Sequence, residues 1–362
     1  MRILCFSDLH ISNRNPKYKT TDGVSDLLIR QTEYVEQICE YVRENEIEHI
    51  AFLGDWTDYP NLDPITLYYS NKMITMLADT GAQVFLLEGN HCLTFKSNNY
   101  SVLDASSMAF NRDNVHFINH PHTHKVDDAL TYYFMPYSSD KEELIKQIKE
   151  MNLEAKKDLT NVFFFHFPTM NALYDSGIKS SSGIELRQEY ISNFDVSLGG
   201  DFHKAQKLGG TKSAYYIGAP FCFNYGDGNE DRGFIIYTPG TKKTERVENK
   251  SLIKILKMDS KEVAKNLKKD FSNCIIKLTS EITLDEKIKI ENSKLAKTCY
   301  KIDYSFIKSN APEKLEAVQA IQNFSKHNDR NYIETLMKTK NTKNPDKIIK
   351  LFDEIKLKVE NK

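Results

Sequence analysis

Five short apolar runs near the start of this 362-residue chain each end in side chains that can bind a metal ion. Ile3–Phe6 is followed by Asp8-Leu9-His10, and Ile50–Leu53 by Gly54-Asp55-Trp56-Thr57-Asp58. Val84–Leu87 leads into Gly89-Asn90-His91, Val162–Phe165 into His166, and Val196–Leu198 into Gly200-Asp201-Phe202-His203. Carboxylate, imidazole and amide oxygen in one place suit a hydrolytic divalent site for Mn, Fe or Zn. Two ions ~3.5–4 Å apart that share a carboxylate would clamp a phosphate and prepare water for in-line attack. Each short motif is common by itself, a lone histidine is usually structural, and Gly54 and Gly89 could be plain turns. The ordered set, every member at the same structural place, is the specific signal.

That place is the carboxyl end of a strand. The runs are short, rich in β-branched and aromatic residues, and stop at a polar or glycine turn, so they read as buried strands, with Tyr215–Ile217 as a sixth. Helical patterns lie between them. Val24, Leu27, Leu28, Val35, Ile38 and Val42 recur at helical spacing. Asp63-Pro64 is a cap and first-turn proline opening a helix to about Leu77, and Asp140 with Glu143 is a capping pattern before Leu144, Ile148 and Met151. Strands alternating with helices predict an α/β fold, with sheet faces covered by helices. In such sheets, sites form outside the carboxyl ends of strands.

The pattern resembles the calcineurin-like metallophosphoesterase superfamily, whose order is Asp-x-His, Gly-Asp-x-x-Asp, Gly-Asn-His, His, Gly-His-x-His. The segments Tyr216-Ile217-Gly218-Ala219-Pro220 and Gly226 through Phe234 are similar to those of SbcD-type DNA repair nucleases, above all the small subunits of the recombination nucleases of T-even-like phages. The resemblance covers about residues 1–250. It implies a sandwich of two β-sheets flanked by helices, a small α+β cap and a C-terminal helical tail. It also implies roles. Asp8, His10 and His203 would hold one metal, Asn90 and His166 the other, and Asp55 would bridge them. His91 would be the acid at the leaving oxygen, and Asp58 would orient ligands. Asp201 stands where the family carries a histidine on the second metal. A carboxylate is harder and anionic, which leans the site toward Mn, with Mg as the alternative. Cys92 replaces an acidic residue that would orient His91, and reads as a small buried thiol.

The remaining chain suggests three parts: a nuclease domain at 1–250, a cap at 251–308 and a helical tail at 309–362. Cys274–Leu278 and Tyr300–Tyr304 read as strands flanking a helix from Leu284. Asn310 with Glu313 and Asn344-Pro345 open tail helices, the last with an apolar stripe of Ile348, Phe352, Ile355 and Val359. The net charge of −1 hides an asymmetry. Residues 251–362 hold 24 Lys and Arg against 16 Asp and Glu, which leaves 25 against 34 in residues 1–250. A basic tail can be a solvated face, a DNA contact or a partner-docking segment. The stripe favours a partner, and the resemblance names one: the SMC-like ATPase subunit SbcC. It also implies a homodimer of the nuclease subunit, for which the helix with Tyr68, Tyr69, Met73 and Met76 is the candidate. Six scattered cysteines without a Cys-x-x-Cys pair fit a reducing cytoplasm, which the resemblance implies is that of a bacterium or a phage-infected cell. No apolar run of about 18 residues indicates a membrane span.

Three functions follow. The first is a DNA nuclease that hydrolyses phosphodiester bonds at DNA ends, exonucleolytic with endonucleolytic cleavage as a second capability, within an SbcCD-like complex for recombination and break processing. The second is a small-molecule phosphatase or phosphodiesterase. The third is a catalytically weakened scaffold, motivated by Asp201 and Cys92. Other residues read blandly: His116, His120, His122 and His124 as an exposed loop, His49 and His327 as surface residues, and Phe163–Phe165 as core.

Overall fold

The computed structural model describes residues 1–94, 100–227, 231–241 and 243–304, with the backbone of 307–308. Twelve strands build two six-stranded sheets. They are β1 (Ile3–Phe6), β2 (His49–Leu53), β3 (Gln83–Leu87), β4 (Val115–Ile118), β5 (His122–Lys125), β6 (Leu130–Met135), β7 (Thr160–His166), β8 (Val196–Gly200), β9 (Gln206–Lys207), β10 (Ala214–Tyr216), β11 (Gly233–Thr238) and β12 (Lys243–Glu248). One sheet runs β12-β11-β1-β2-β3-β4 and the other β9-β10-β8-β7-β6-β5. The central strands β1–β4 are parallel, as are β6, β7, β8 and β10. The outer strands β11, β12, β9 and β5 pair antiparallel to their neighbours. This is the α/β sandwich that the strand–helix alternation predicts.

Period-two alternation decides which side chains meet. Along β7, Val162 and Phe164 face Ala51, Leu53, Phe85 and Leu87 between the sheets. Phe163 and Phe165 face outward onto Leu144, Ile148 and Met151 of helix α4 (Lys141–Glu154). By the same parity His166, at the end of β7, points inward, toward the carboxyl end of β2. Each fully buried phenylalanine contributes about 1.5–3 kcal/mol, so the strand ends are anchored by a well-filled interior.

The helices form where their caps sit. Asp63 accepts from the amides of Ile65 and Thr66 and opens α2 (Pro64–Ala78) with proline in its first turn. Asp140 accepts from Glu142 and Glu143 at the start of α4. Ser25 caps α1 (Asp26–Glu44), which buries Leu27, Leu28, Val35, Ile38 and Val42. Ser101 and Asp104 form a capping box for α3 (Val102–Ala109).

Two expectations fail. The four histidines at 116–124 do not share one exposed loop. His116 lies on β4 and His122 and His124 on β5, edge strands of the two sheets, while exposed His120 is in the connection between them. His116 stacks on Phe85 with ring centroids 4.7 Å apart, and His124 packs edge-on against the same ring. His49 is not at the surface: it is buried and shares a 2.8 Å hydrogen bond with the Tyr132 hydroxyl. Edge strands tolerate polar and charged residues, so their apolar signal is weak.

The chain divides into two compact units, 1–257 with 272–276, and 258–271 with 277 onward. In the described part of the second are helices Ser260–Asn266, Leu284–Glu291 and Lys294–Thr298 and strand Lys301–Tyr304. Thr283 and Glu286 form a capping box there. The tail at 309–362, its apolar stripe and His327 lie outside the described residues. Among the described residues no helix is long and apolar enough to cross a membrane.

Candidate metal centre

The turns after β1, β2, β3, β7 and β8 bring the motif residues to one place. Asp8, His10 and His203 offer ligand atoms within 4.8 Å of one another, as do Asp8, Asp55 and His166. His10, Asp55 and His91 form a third such group. Nε2 of His10 lies 3.1 Å from Nε2 of His203 and 3.7 Å from Oδ2 of Asp55. Nε2 of His166 lies 3.2 Å from Oδ1 of Asn90, 3.4 Å from Oδ2 of Asp55 and 3.9 Å from Oδ1 of Asp201. The Asp201 amide donates to Oδ1 of Asp8 at 2.9 Å, and the Ser7 hydroxyl donates to the other oxygen of Asp8. Asp55 occupies the middle: it faces both His10 and His166, and its Oδ1 accepts the His91 amide at 2.9 Å.

Backbone shape explains the convergence. Asp8 (φ 52°), His10 (φ 47°), Asp55 (φ 59°) and Asp201 (φ 102°) are four of eight non-glycine residues with left-handed backbone among the described residues. Such conformations cost on the order of 1–3 kcal/mol each and persist where surrounding structure over-determines them. Here the buried strands impose the sharp turns. The amides of Asp8, His10 and Ile11 donate to the carbonyls of Gly54, Asp55 and Trp56, tying two motif turns together. Gly54, at φ 94°, permits close approach: a Cβ there would lie 1.9 Å from Nδ1 of His166. At Gly89 a Cβ would meet Oδ1 of Asp55 at 2.2 Å. These glycines are therefore more than strand-ending turns.

The electrostatics call for added positive charge. Asp8 and Asp55 are buried and Asp201 is nearly so. Burial, reinforced by the charges of Asp55 and Asp8, pushes the Asp201 carboxyl up to about 7 against the pull of His166. Burial would also raise Asp55, but His166, His10 and His91 hold it well below the usual carboxylate range. Burial would lower His166, yet the Asp55 charge and hydrogen bond take it up to about 10. Buried like charges cost several kcal/mol, so divalent cations among these carboxylates would relieve their repulsion.

The donor set fits a pair of divalent cations. Nδ1 of His166 meets the Leu53 carbonyl at 2.7 Å. Donation of an N–H there leaves Nε2 to face oxygen acceptors, the arrangement in which imidazole binds a metal. Buried Nδ1 of His10 has no hydrogen-bond partner, while its Nε2 faces His203 and Asp55. Oxygen and nitrogen donors in this mixture suit Mn, Fe or Zn.

Asp58 lies between two histidines. Its Oδ1 is 3.5 Å from Nδ1 of His10 and 3.7 Å from Nδ1 of His91, and its carbonyl is 2.9 Å from Nδ1 of His91. The His91 side chain is 42 % exposed, in contrast to the buried His10 and His166, so it alone of these three reaches solvent. Cys92 is a buried thiol, pushed up to about 12 mainly by burial, and faces the Thr57 hydroxyl. All nine residues singled out by the motifs thus meet in one region.

The motif pattern gives no role to Asp227 and Arg232, yet both are buried against His203. A cavity of about 310 Å³ opens beside them, lined by Tyr174, Asp201, Phe202, His203, Asn224 and Asp227. The signal that could have drawn notice to Asp227 and Arg232 is a pair of opposite charges in a glycine-containing stretch of sequence just before a buried strand.

Residues 1–205 match the family described as calcineurin-like phosphoesterase. Exonuclease subunit 1 of Enterobacteria phage T4 is 24 % identical over 257 residues, covering 69 % of this chain and 68 % of that protein. Among solved structures, a dimetal phosphatase from Danio rerio is similar with a TM-score of 0.44 and 9 % identity, over 68 % of this chain and 98 % of that one. The protein TT1561 of Thermus thermophilus is similar with a TM-score of 0.40 and 12 % identity, over 69 % of this chain and 99 % of that one.

Proposed function

This chain belongs to the calcineurin-like phosphoesterase family, and we propose that within it the protein is a metal-dependent DNA nuclease that hydrolyses phosphodiester bonds at DNA ends. The observation that carries the reading is the convergence of Asp8, His10, Asp55, Asn90, His166, Asp201 and His203 at the carboxyl edge of both sheets. The likeness to a phage protein named as an exonuclease subunit supports a nucleic acid as the substrate.

Asp8, His10 and His203 would hold one ion and Asn90, His166 and Asp201 the other, with Asp55 shared. Bound there, two divalent ions would supply Lewis acidity and charge neutralisation at a phosphodiester. The chain's own groups do the rest. Buried strand ends fix the ligands before substrate arrives, so little reorganisation is needed. His91, exposed and beside Asn90, would give a proton to the departing 3′ or 5′ oxygen. The Asp58 carboxylate, 3.5 Å from Nδ1 of His10 and 3.7 Å from Nδ1 of His91, would orient both rings electrostatically. Asp201, a carboxylate, adds negative charge that favours Mn or Mg.

An SMC-like ATPase partner bound through residues 309–362, and a homodimer through α2, complete the proposal. On α2, Met73 is buried, whereas Tyr68 is 65 % exposed. The decisive assay is degradation of linear DNA with Mn by wild type, Asp201→His and His91→Ala, with and without the ATPase. Absence of degradation by wild type and Asp201→His under all conditions would reject the reading. Turnover of a nitrophenyl phosphodiester without DNA binding would instead favour a small-molecule phosphoesterase.

A further inference from the structure

We propose that Asp227 is a positioning residue for the metal centre, with the turn Phe223–Asp227 and Arg232 serving to aim the imidazole of His203. The inference rests on the reading that His203, with Asp8 and His10, holds a cation.

The turn addresses both histidines of that group. Oδ2 of Asp227 lies 3.7 Å from Nδ1 of His203, on the far side of the ring from the Nε2 that faces His10. The Phe223 ring packs edge-on against His10 at 5.0 Å and against His203 at 5.4 Å. The turn also holds its own carboxylate. Oδ2 of Asp227 accepts the amides of Phe223 (2.6 Å) and Asn224 (3.2 Å), and Oδ1 accepts Nδ2 of Asn224 (2.6 Å). The backbone of His203 is fixed as well. Its carbonyl accepts the Ala219 amide and the Arg232 guanidinium, both at 3.1 Å, while Arg232 also meets Asp175 at 3.1 Å.

A neutral imidazole carries one N–H. A carboxylate on the Nδ1 side attracts that hydrogen and leaves the Nε2 lone pair toward Asp8 and His10. Metal-binding histidines are oriented in this way, and loss of the orienting carboxylate typically weakens metal binding about 10- to 100-fold. A merely structural role is the competing explanation, because Asp227 also ties its own turn. The two differ in selectivity. A turn staple would disturb the whole region, whereas a positioning group acts only through His203 and only on the ion His203 holds.

The test is Mn titration of the full chain by calorimetry and electron paramagnetic resonance. Wild type, Asp227→Asn, His203→Ala and the double variant are compared, with folding checked by circular dichroism. Asn keeps an oxygen acceptor for the turn but removes the charge. The expected result is two ions in wild type, and in Asp227→Asn about 10- to 100-fold weaker binding of one ion with the other unchanged. In the His203→Ala background, Asp227→Asn should add no further loss, because the two residues act as a unit. If Asp227→Asn does not fold, Asn224→Ala replaces it and should weaken the same ion alone. Affinities within twofold of wild type, equal weakening of both ions, or the same loss with and without His203 would overturn the inference. Fewer than two ions in wild type would overturn the two-ion reading itself and the inference with it.

Discussion

Gly54 and His166 touch across the two sheets: a Cβ on Gly54 would lie 1.9 Å from the ring Nδ1 that meets the Leu53 carbonyl. Gly54→Ala should therefore displace His166 as well as strain the backbone at φ 94°. Overpacking a tight core typically costs about 1–3 kcal/mol. Gly81 supplies the control, since it has φ 81° but nothing within 4 Å of its built Cβ. Gly81→Ala carries the strain without the collision. Thermal unfolding should show a clearly lower Tm for Gly54→Ala than for Gly81→Ala, and only Gly54→Ala should lose Mn binding. Equal effects would mean that His166 can move aside.

The carboxylates of Asp8, Asp55 and Asp201 crowd one region, which should make the metal-free protein less stable than it could be. Above about pH 7, where Asp201 is ionised, Asp201→Asn removes one charge from that group. In chelator it should raise Tm, and with excess Mn it should gain less than wild type does. A ligand at 100 times its Kd stabilises by about 2.7 kcal/mol, enough to read as a shift of several degrees. Trp56, the sole tryptophan, is buried next to Asp55 and donates to the Ser70 hydroxyl at 2.9 Å. Its fluorescence offers a second readout of the same titration. An unchanged Tm in chelator would show that these charges are already neutralised by protons.

The sequence makes the candidate ligands legible because each sits beside the strand that carries it, within a few residues of an apolar run. Asp8, Asp55, Asn90, His166 and Asp201 can be found that way without any contact being known. Asp227 and Arg232 cannot. They reach His203 from a turn more than twenty residues away, and only tertiary approach places them there. The same holds for His49, whose partner Tyr132 is on the other sheet. Strands β4 and β5 are hard to read because Val-His-Phe-Ile and His-Thr-His-Lys lie at sheet edges with little full burial, and the second has no apolar residue at all. The left-handed backbone of Asp8, His10, Asp55 and Asp201 leaves no mark in the sequence at all, since Asp and His visit that region without glycine's help.

The histidines at the edge of the sandwich predict how stability varies with pH. Burial lowers His49, His116 and His124, and the neighbouring imidazoles lower them further; for His49 the charges of Glu48 and Asp127 oppose this. Gln83 faces His116, Tyr132 faces both His49 and His124, and Lys125 follows His124 at the end of β5. With a folded value below the unfolded one, the unfolded chain binds more protons between the two. Stability is then fully present above about 6.5 and is lost as pH falls through the lower folded values. Denaturant unfolding from pH 7 to pH 5 should show this decline. His116→Phe with His124→Phe should flatten it, whereas a slope equal to wild type would assign the decline elsewhere.

His91 differs from the residues around it in exposure and in what it should change. Its Nδ1 is occupied by the Asp58 carbonyl at 2.9 Å, so Nε2 is the atom placed to meet a substrate oxygen. Asn90 beside it faces His166 instead. If His91 protonates the leaving group, His91→Ala should lower kcat on DNA by about 10²- to 10⁴-fold. Mn affinity should stay near wild type. The same variant should lose far less on a nitrophenyl phosphodiester, because nitrophenolate departs without needing a proton. Equal losses on both substrates, together with weaker Mn binding, would make His91 a ligand, which its place beside His10 and Asp55 also permits. The ratio of the two losses therefore separates a proton donor from a metal ligand on one side chain.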